Sequence, residues 1–156
     1  MINHEVNRQI QSLKFLLKKT SQISGDDSEV QSHWAKYICI LSAGLLENSI
    51  YEIYREFVEN ASSKPVSNFA TATLYKIQNP NATRFIEISR SFNPLWADEL
   101  EKYLSEDGRK EAIDSIIANR HKIAHGKPSN ISLSRIREYL EKSIQVLSFL
   151  EEQVKR

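Results

Sequence analysis

The chain has 156 residues, 40% apolar and 26% charged, with a formal net charge of +1. That suits one domain with a real core and excludes a global basic field, so any contact with nucleic acid needs a local patch or a subunit interface. A single cysteine, Cys39, excludes an intrachain disulfide framework.

The opening MINHEVNRQI is polar and has no signal-peptide core. No apolar run approaches the ~20 residues of a membrane helix, so a cytoplasmic chain with no membrane contact is expected. With only 4 Gly and 4 Pro, and little strand-like alternation, helix is the default reading. Ile2, Val6, Ile10, Leu13 and Leu17 fall at helical spacing and predict a helix over 2–23. SGDDSE at 24–29 breaks it and supplies caps for the next. A long second helix is predicted over 29–60. Its apolar residues, from Trp34 and Tyr37 to Phe57 and Val58, lie all round the axis, which marks a helix buried on several sides. Cys39 falls in this run and reads as a small core residue.

ASSKPVSN at 61–68 reads as a loop. FATATLYKI at 69–77 is a short element whose threonines would also suit a strand. NPN at 79–81 breaks the chain again. Helices follow at about 81–91 and 94–106, the second with Pro94 in its first turn. Another spans 109–125 and stops at Gly126, with Pro128 just beyond. A last amphipathic helix covers 131–155, with Ile136, Leu140, Leu147 and Leu150 on one face. No repeat or linker appears, so residues 1–156 form a single domain. The expected architecture is all-α: a bundle of four main helices with a short helical insert at 69–106.

The stretch IIANRHKIAHGKP, residues 116–128, holds the candidate site. At about 100° per residue with Ile113 at zero, Ile117 falls near 40°, Ile116 near −60° and Arg120 near −20°. Arg120 therefore sits at the centre of an apolar stripe, while Glu111, Asp114 and Lys122 take the opposite, solvated face. A guanidinium there must pair, reach water, or face a groove or second subunit where it meets an anion. His125, just before Gly126, suits a helix C-terminus when protonated. His121 and His125 are four apart, a spacing that would suit a metal pair, but no third ligand is evident, so no metal is expected. Asn119 lies on the flank of the helix. It reads as a surface or local hydrogen-bonding residue, with RNA contact as the alternative.

Arg120, then HKIA, then His125, in the context NRHKIAHG near the end of a small all-α chain, resembles the signature of the HEPN superfamily. That signature is an arginine, four to six residues, then a histidine, often with a polar residue straight after the arginine, here His121. With SAGLLENSIYEIY on the second helix, the wording most resembles the RiboL-PSP-HEPN and MAE-like branch. The resemblance implies a HEPN-like four-helix-type bundle that dimerises, with the motifs of two protomers meeting in a cleft. It implies a metal-independent endoribonuclease without a cofactor, of the toxin or antiphage-defence kind, with an antitoxin protein as a further partner. The alternative is a HEPN module that has lost catalysis and only dimerises or binds RNA or a nucleotide. The tyrosine that some members carry two residues after the histidine is Lys127 here, so regulation through its modification is not implied.

RNA cleavage through its own 2′-hydroxyl needs a base, donors for the phosphorane and a proton for the leaving oxygen. Imidazole as a side chain titrates near neutrality, and such catalysis contributes about 10²–10⁴-fold. His125 takes the proton-transfer role and Arg120 the anion-stabilising role. His121 either orients the phosphate or its neighbour, or lies on the solvent flank. Lys122 and Lys127 are candidates for RNA phosphates or are plain surface lysines. Glu47, among Ile40, Ala43, Tyr51 and Tyr54, either pairs with Arg120 and orients it or reaches solvent. The aromatics Trp34, Tyr37, Tyr51, Tyr54 and Trp96 read as core or dimer contacts rather than base-stacking platforms.

Overall fold

A computed structural model describes residues 3–156. The predicted start of the first helix at Ile2 lies outside the described residues. Seven helices follow one another, and no strand occurs among the described residues.

The first helix, α1 (His4–Ser24), begins where the Asn3 side chain accepts the Val6 backbone N–H at 3.0 Å. It buries Val6, Ile10, Leu13 and Leu17 on one stripe. Asp27 caps the long α2 (Ser28–Ala61) by accepting the N–H groups of Glu29 and Val30. This helix packs against α1, against α6 (Arg109–Ala124) and against α7 (Leu133–Lys155), so it buries residues on several sides, as its pattern predicts. The four long helices are the bundle. Leu46, Ile50, Ile113, Ile116, Ile136 and Leu147 lie at its centre with no exposed surface.

The insert differs from expectation at its start. A helix, α3 (Lys64–Leu74), occupies most of the stretch read as a loop at 61–68. Pro65 stands in its first turn, where no backbone N–H is needed, so the proline starts the helix rather than marking a loop. The threonines that would suit a strand are helical too. Thr73 donates its hydroxyl to the Phe69 carbonyl at 3.2 Å, one turn back. Two further helices, α4 (Ala82–Phe92) and α5 (Pro94–Leu104), share Asn93 between them as end cap and start cap. They pack on each other and lean on α6, while α5 also touches α7. Gln153 of α7 donates to the Trp96 carbonyl at 3.1 Å and to Glu99 at 2.9 Å, which fastens that end of the insert.

Cys39 is fully buried, and its thiol contacts the Ile116 carbonyl across the α2–α6 seam at 3.5 Å, as befits a core residue. Burial pushes the Cys39 thiol from 9.0 up to about 12, and the Tyr54 phenol from 10.0 up to about 12. Both groups ionise in the unfolded chain before they do so in the folded one. Their contribution is complete below pH 9 and is lost as pH climbs from there towards 12. The midpoint of thermal unfolding should therefore fall between pH 9 and 11. Cys39→Ala should flatten the early part of that fall; an unchanged slope would show that the buried thiol contributes none of it.

Candidate functional site

The site lies where α6 leaves the bundle. Ile113 and Ile116 are fully buried, Ile117, Arg120 and Ile123 are half-buried, and Ala124 and His125 are exposed. Arg120 thus stands on the apolar stripe, as its phase predicts, but at the point where the stripe emerges. Its guanidinium makes no ion pair and no hydrogen bond among the described residues. The desolvation cost is avoided by emergence rather than by pairing.

Arg120 lines a concavity of about 480 Å³ between the C-terminal half of α6 and the segment joining α3 to α4. His121, Lys122, Lys127, Asn79 and Asn81 share its walls. His125 does not line it. The His125 ring instead packs against that of His121, with centroids 4.3 Å apart and planes tilted by 54°.

The end of α6 is held by a Schellman closure. The Lys127 N–H donates to the Lys122 carbonyl at 2.8 Å and the Gly126 N–H to the Ile123 carbonyl at 3.2 Å. The closure needs a left-handed residue, and Gly126 supplies it at φ 67°. His125 and Lys127 are fixed on either side of that glycine.

The wall opposite α6 is anchored by two carboxylates. Glu47 of α2 accepts the Asn79 backbone N–H at 2.6 Å, and Asp114 of α6 accepts the Ala82 backbone N–H at 2.9 Å. Asn79 takes φ 45°, a left-handed conformation that asparagine tolerates better than most residues. Of the two readings of Glu47, pairing with Arg120 or reaching solvent, the pair is not formed; the carboxylate accepts the Asn79 amide instead. Asp114 was placed by phase on the solvated face, yet it is half-buried and lines the same concavity. The insert covers this flank of α6, which helical phase alone does not show.

Asn119 makes two local hydrogen bonds. Its amide nitrogen donates to the Ser115 carbonyl at 2.8 Å, and its oxygen accepts the Ser129 hydroxyl at 2.8 Å. It ties α6 to the loop that leads into α7. Of the residues singled out in sequence, the structure brings Arg120, His121, Lys122 and Lys127 to one concavity, with His125 at its edge and Glu47 behind its wall. Asn79, Asn81 and Asp114 are not candidate site residues in the sequence; the break NPN ahead of a helix is the only signal there.

A family model described as RiboL-PSP-HEPN matches residues 4–156. The chain belongs to the RiboL-PSP-HEPN family. No curated protein and no solved structure matches it. The match spans the insert as well as the four long helices, so a RiboL-PSP-HEPN domain here includes α3 to α5. Such a domain points to a ribonuclease or nucleotide-binding role, and HEPN domains commonly dimerise. No helix among the described residues is long and apolar enough to cross a membrane.

Because Glu47 supplies a charged acceptor to a partly buried amide, Glu47→Ala should cost about 1–3 kcal/mol in urea unfolding. It should also speed hydrogen exchange at the Asn79 amide. Glu47→Gln keeps an acceptor oxygen and should retain part of both. Equal exchange in all three forms would show that the carboxylate does not hold this wall.

Proposed function

We propose that the chain is a metal-independent HEPN endoribonuclease of the toxin or antiphage-defence kind, acting in the cytoplasm as a homodimer, with an antitoxin protein as a partner. The observation that carries this reading is an arginine without an anion. Arg120 projects into a water-accessible concavity beside two histidine rings in contact, and among the described residues no carboxylate engages it.

The chemistry follows from the groups present. An imidazole, His125 in this reading, takes the proton of a ribose 2′-hydroxyl. The 2′-oxygen attacks the adjacent phosphorus, and the bond from phosphorus to the 5′-oxygen breaks. That oxygen leaves with a proton from a second imidazole or from water. Arg120 offers a fork of donors to the charge that builds on the non-bridging oxygens. His121 bridges the two by lining the Arg120 concavity while touching the His125 ring. The products are a 2′,3′-cyclic phosphate and a 5′-hydroxyl.

Two features favour a second copy. Arg120 and His125 do not line one concavity within a protomer, so another chain is needed to set the imidazole of one against the guanidinium of the other. In addition, α2 carries exposed positions at helical spacing: Tyr37 (49% exposed), Ile40 (39% exposed) and Gly44. A Cβ placed on Gly44 would meet nothing, so a neighbouring helix has room to approach. Ile40→Glu should halve the mass seen by light scattering and lower cleavage with it. A monomeric wild-type chain that cleaves would overturn the dimer.

The reading is tested with purified protein and single-stranded RNA in excess EDTA. Cleavage should persist, should stop when the ribose at the cut is 2′-deoxy, and should fall by about 10²-fold or more in Arg120→Ala and in His125→Ala. A folded wild-type protein that binds RNA in a salt-sensitive way without cutting it would leave the non-catalytic HEPN module as the answer.

A further inference from the structure

We propose that Tyr75, with Lys76, forms an outer binding site where single-stranded RNA stacks a base on its way to the Arg120 concavity. This rests on the ribonuclease reading and names the part of the chain that takes the substrate's single-stranded form.

Tyr75 follows the last turn of α3 and is 78% exposed, an unusual position for a large aromatic side chain. It meets the Tyr51 ring edge-on, with centroids 6.0 Å apart and planes at 74°. That contact orients the Tyr75 ring and leaves a face free for stacking.

A short stretch of chain joins this ring to the concavity. Tyr51 and Glu47 lie one turn apart on α2, and Glu47 holds the Asn79 amide. Asn79 lines the Arg120 concavity. Tyr75 is four residues from Asn79, at most about 14 Å along the chain. Lys76 stands between them and makes no ion pair among the described residues.

Charge selects the occupant. Residues 60–86 contain Lys64, Lys76 and Arg84 and no carboxylate, though Arg84 pairs with Glu87 just beyond at 3.4 Å. Residues 115–137 contain Arg120, Lys122, Lys127, Arg135 and Arg137 and again no carboxylate, though Arg135 pairs with Glu138 just beyond at 3.8 Å. The two windows meet at the concavity, where Asn79 and Asn81 face Arg120, Lys122 and Lys127. Glu47 and Asp114 border the junction, each directed at a backbone N–H. Arg55, one turn beyond Tyr51, is already held by Glu52 and Glu59 at 2.7 and 2.8 Å. A free aromatic face beside an unpaired cation suits a single strand, whose bases can splay out to stack; a duplex keeps its bases paired.

Phe69 supplies the control. It is equally exposed at 78%, but it lines a separate groove of about 230 Å³ between α3 and α4. It lies off the Tyr75 path.

The experiment measures binding of a short fluorescein-labelled single-stranded RNA by anisotropy, in a His125→Ala background so that the RNA survives. Tyr75→Ala should weaken binding by about ten-fold, Tyr75→Trp should preserve it, and Phe69→Ala should leave it unchanged. Lys76→Gln should lower the slope of log affinity against log salt by about 0.7. Duplex RNA should show no dependence on Tyr75.

Equal affinity in wild type and Tyr75→Ala overturns the proposal. Equal affinity with a lower oligomeric mass in Tyr75→Ala assigns the ring to a protein interface, which also overturns it. A Tyr75-dependent affinity in a wild-type chain that never cuts RNA would leave this site standing and remove the nuclease reading. A wild-type chain that cuts RNA with no contribution from Tyr75 would do the reverse.

Discussion

The arrangement at the motif depends on two backbone amides accepted by carboxylates, Asn79 by Glu47 and Ala82 by Asp114. Each bond joins the insert to a different helix of the bundle, one to α2 and one to α6. Together they hold a break in the chain, NPN at 79–81, against the emerging end of α6. Without them α6 would present Arg120 and His121 on an open helix end. With them the same residues form one side of a concavity. Hydrogen bonds to charged acceptors are among the stronger ones a fold can use, and these two lie where they shape the site.

Arg120 is left beside these carboxylates without pairing to either. A carboxylate on α2 among Tyr51, Tyr54 and Ile40 invites pairing with a guanidinium across the seam, and charge alone favours it. Glu47 instead accepts the Asn79 amide at 2.6 Å, from a segment that turns through a left-handed Asn79. Arg120 meets its own solvation need by standing where the apolar stripe ends, half in water. An arginine neutralised by Glu47 would have less positive charge to offer an incoming phosphate.

Much of the fold was legible from two kinds of signal. Periodicity placed the four long helices, and the break SGDDSE with its caps and the stop at Gly126 placed several of their ends. What failed was local. ASSKPVSN looks like a loop by composition, but Pro65 in a first turn begins a helix. Helical phase put Arg120 on the apolar stripe correctly, because phase is a property of one helix. It put Asp114 in solvent, because it does not know which flank of α6 the insert will cover. Glu47 reads in sequence as a carboxylate in need of a partner, and that partner is a backbone amide, a donor that every residue but proline carries and that no pattern of side chains marks. Tyr75 drew no reading for a related reason: an aromatic residue just past a helix reads as buried until the neighbours that fail to cover it are known.

The near-neutral total conceals how the charge is placed. All 20 carboxylates of the chain fall outside residues 60–86 and 115–137, and those two windows carry eight of its 21 cations. The windows are far apart in sequence and adjacent at the concavity, so the positive field is made by folding rather than by composition. With salt at physiological strength, exposed charges act over about 8 Å. A local cluster of Arg120, Lys122 and Lys127, with the Asp114 carboxylate turned to a backbone N–H, therefore does what a large net charge would do at long range, while the rest of the surface keeps its balance. A chain whose total is +1 can attract a polyanion to one place and leave its other faces indifferent to it.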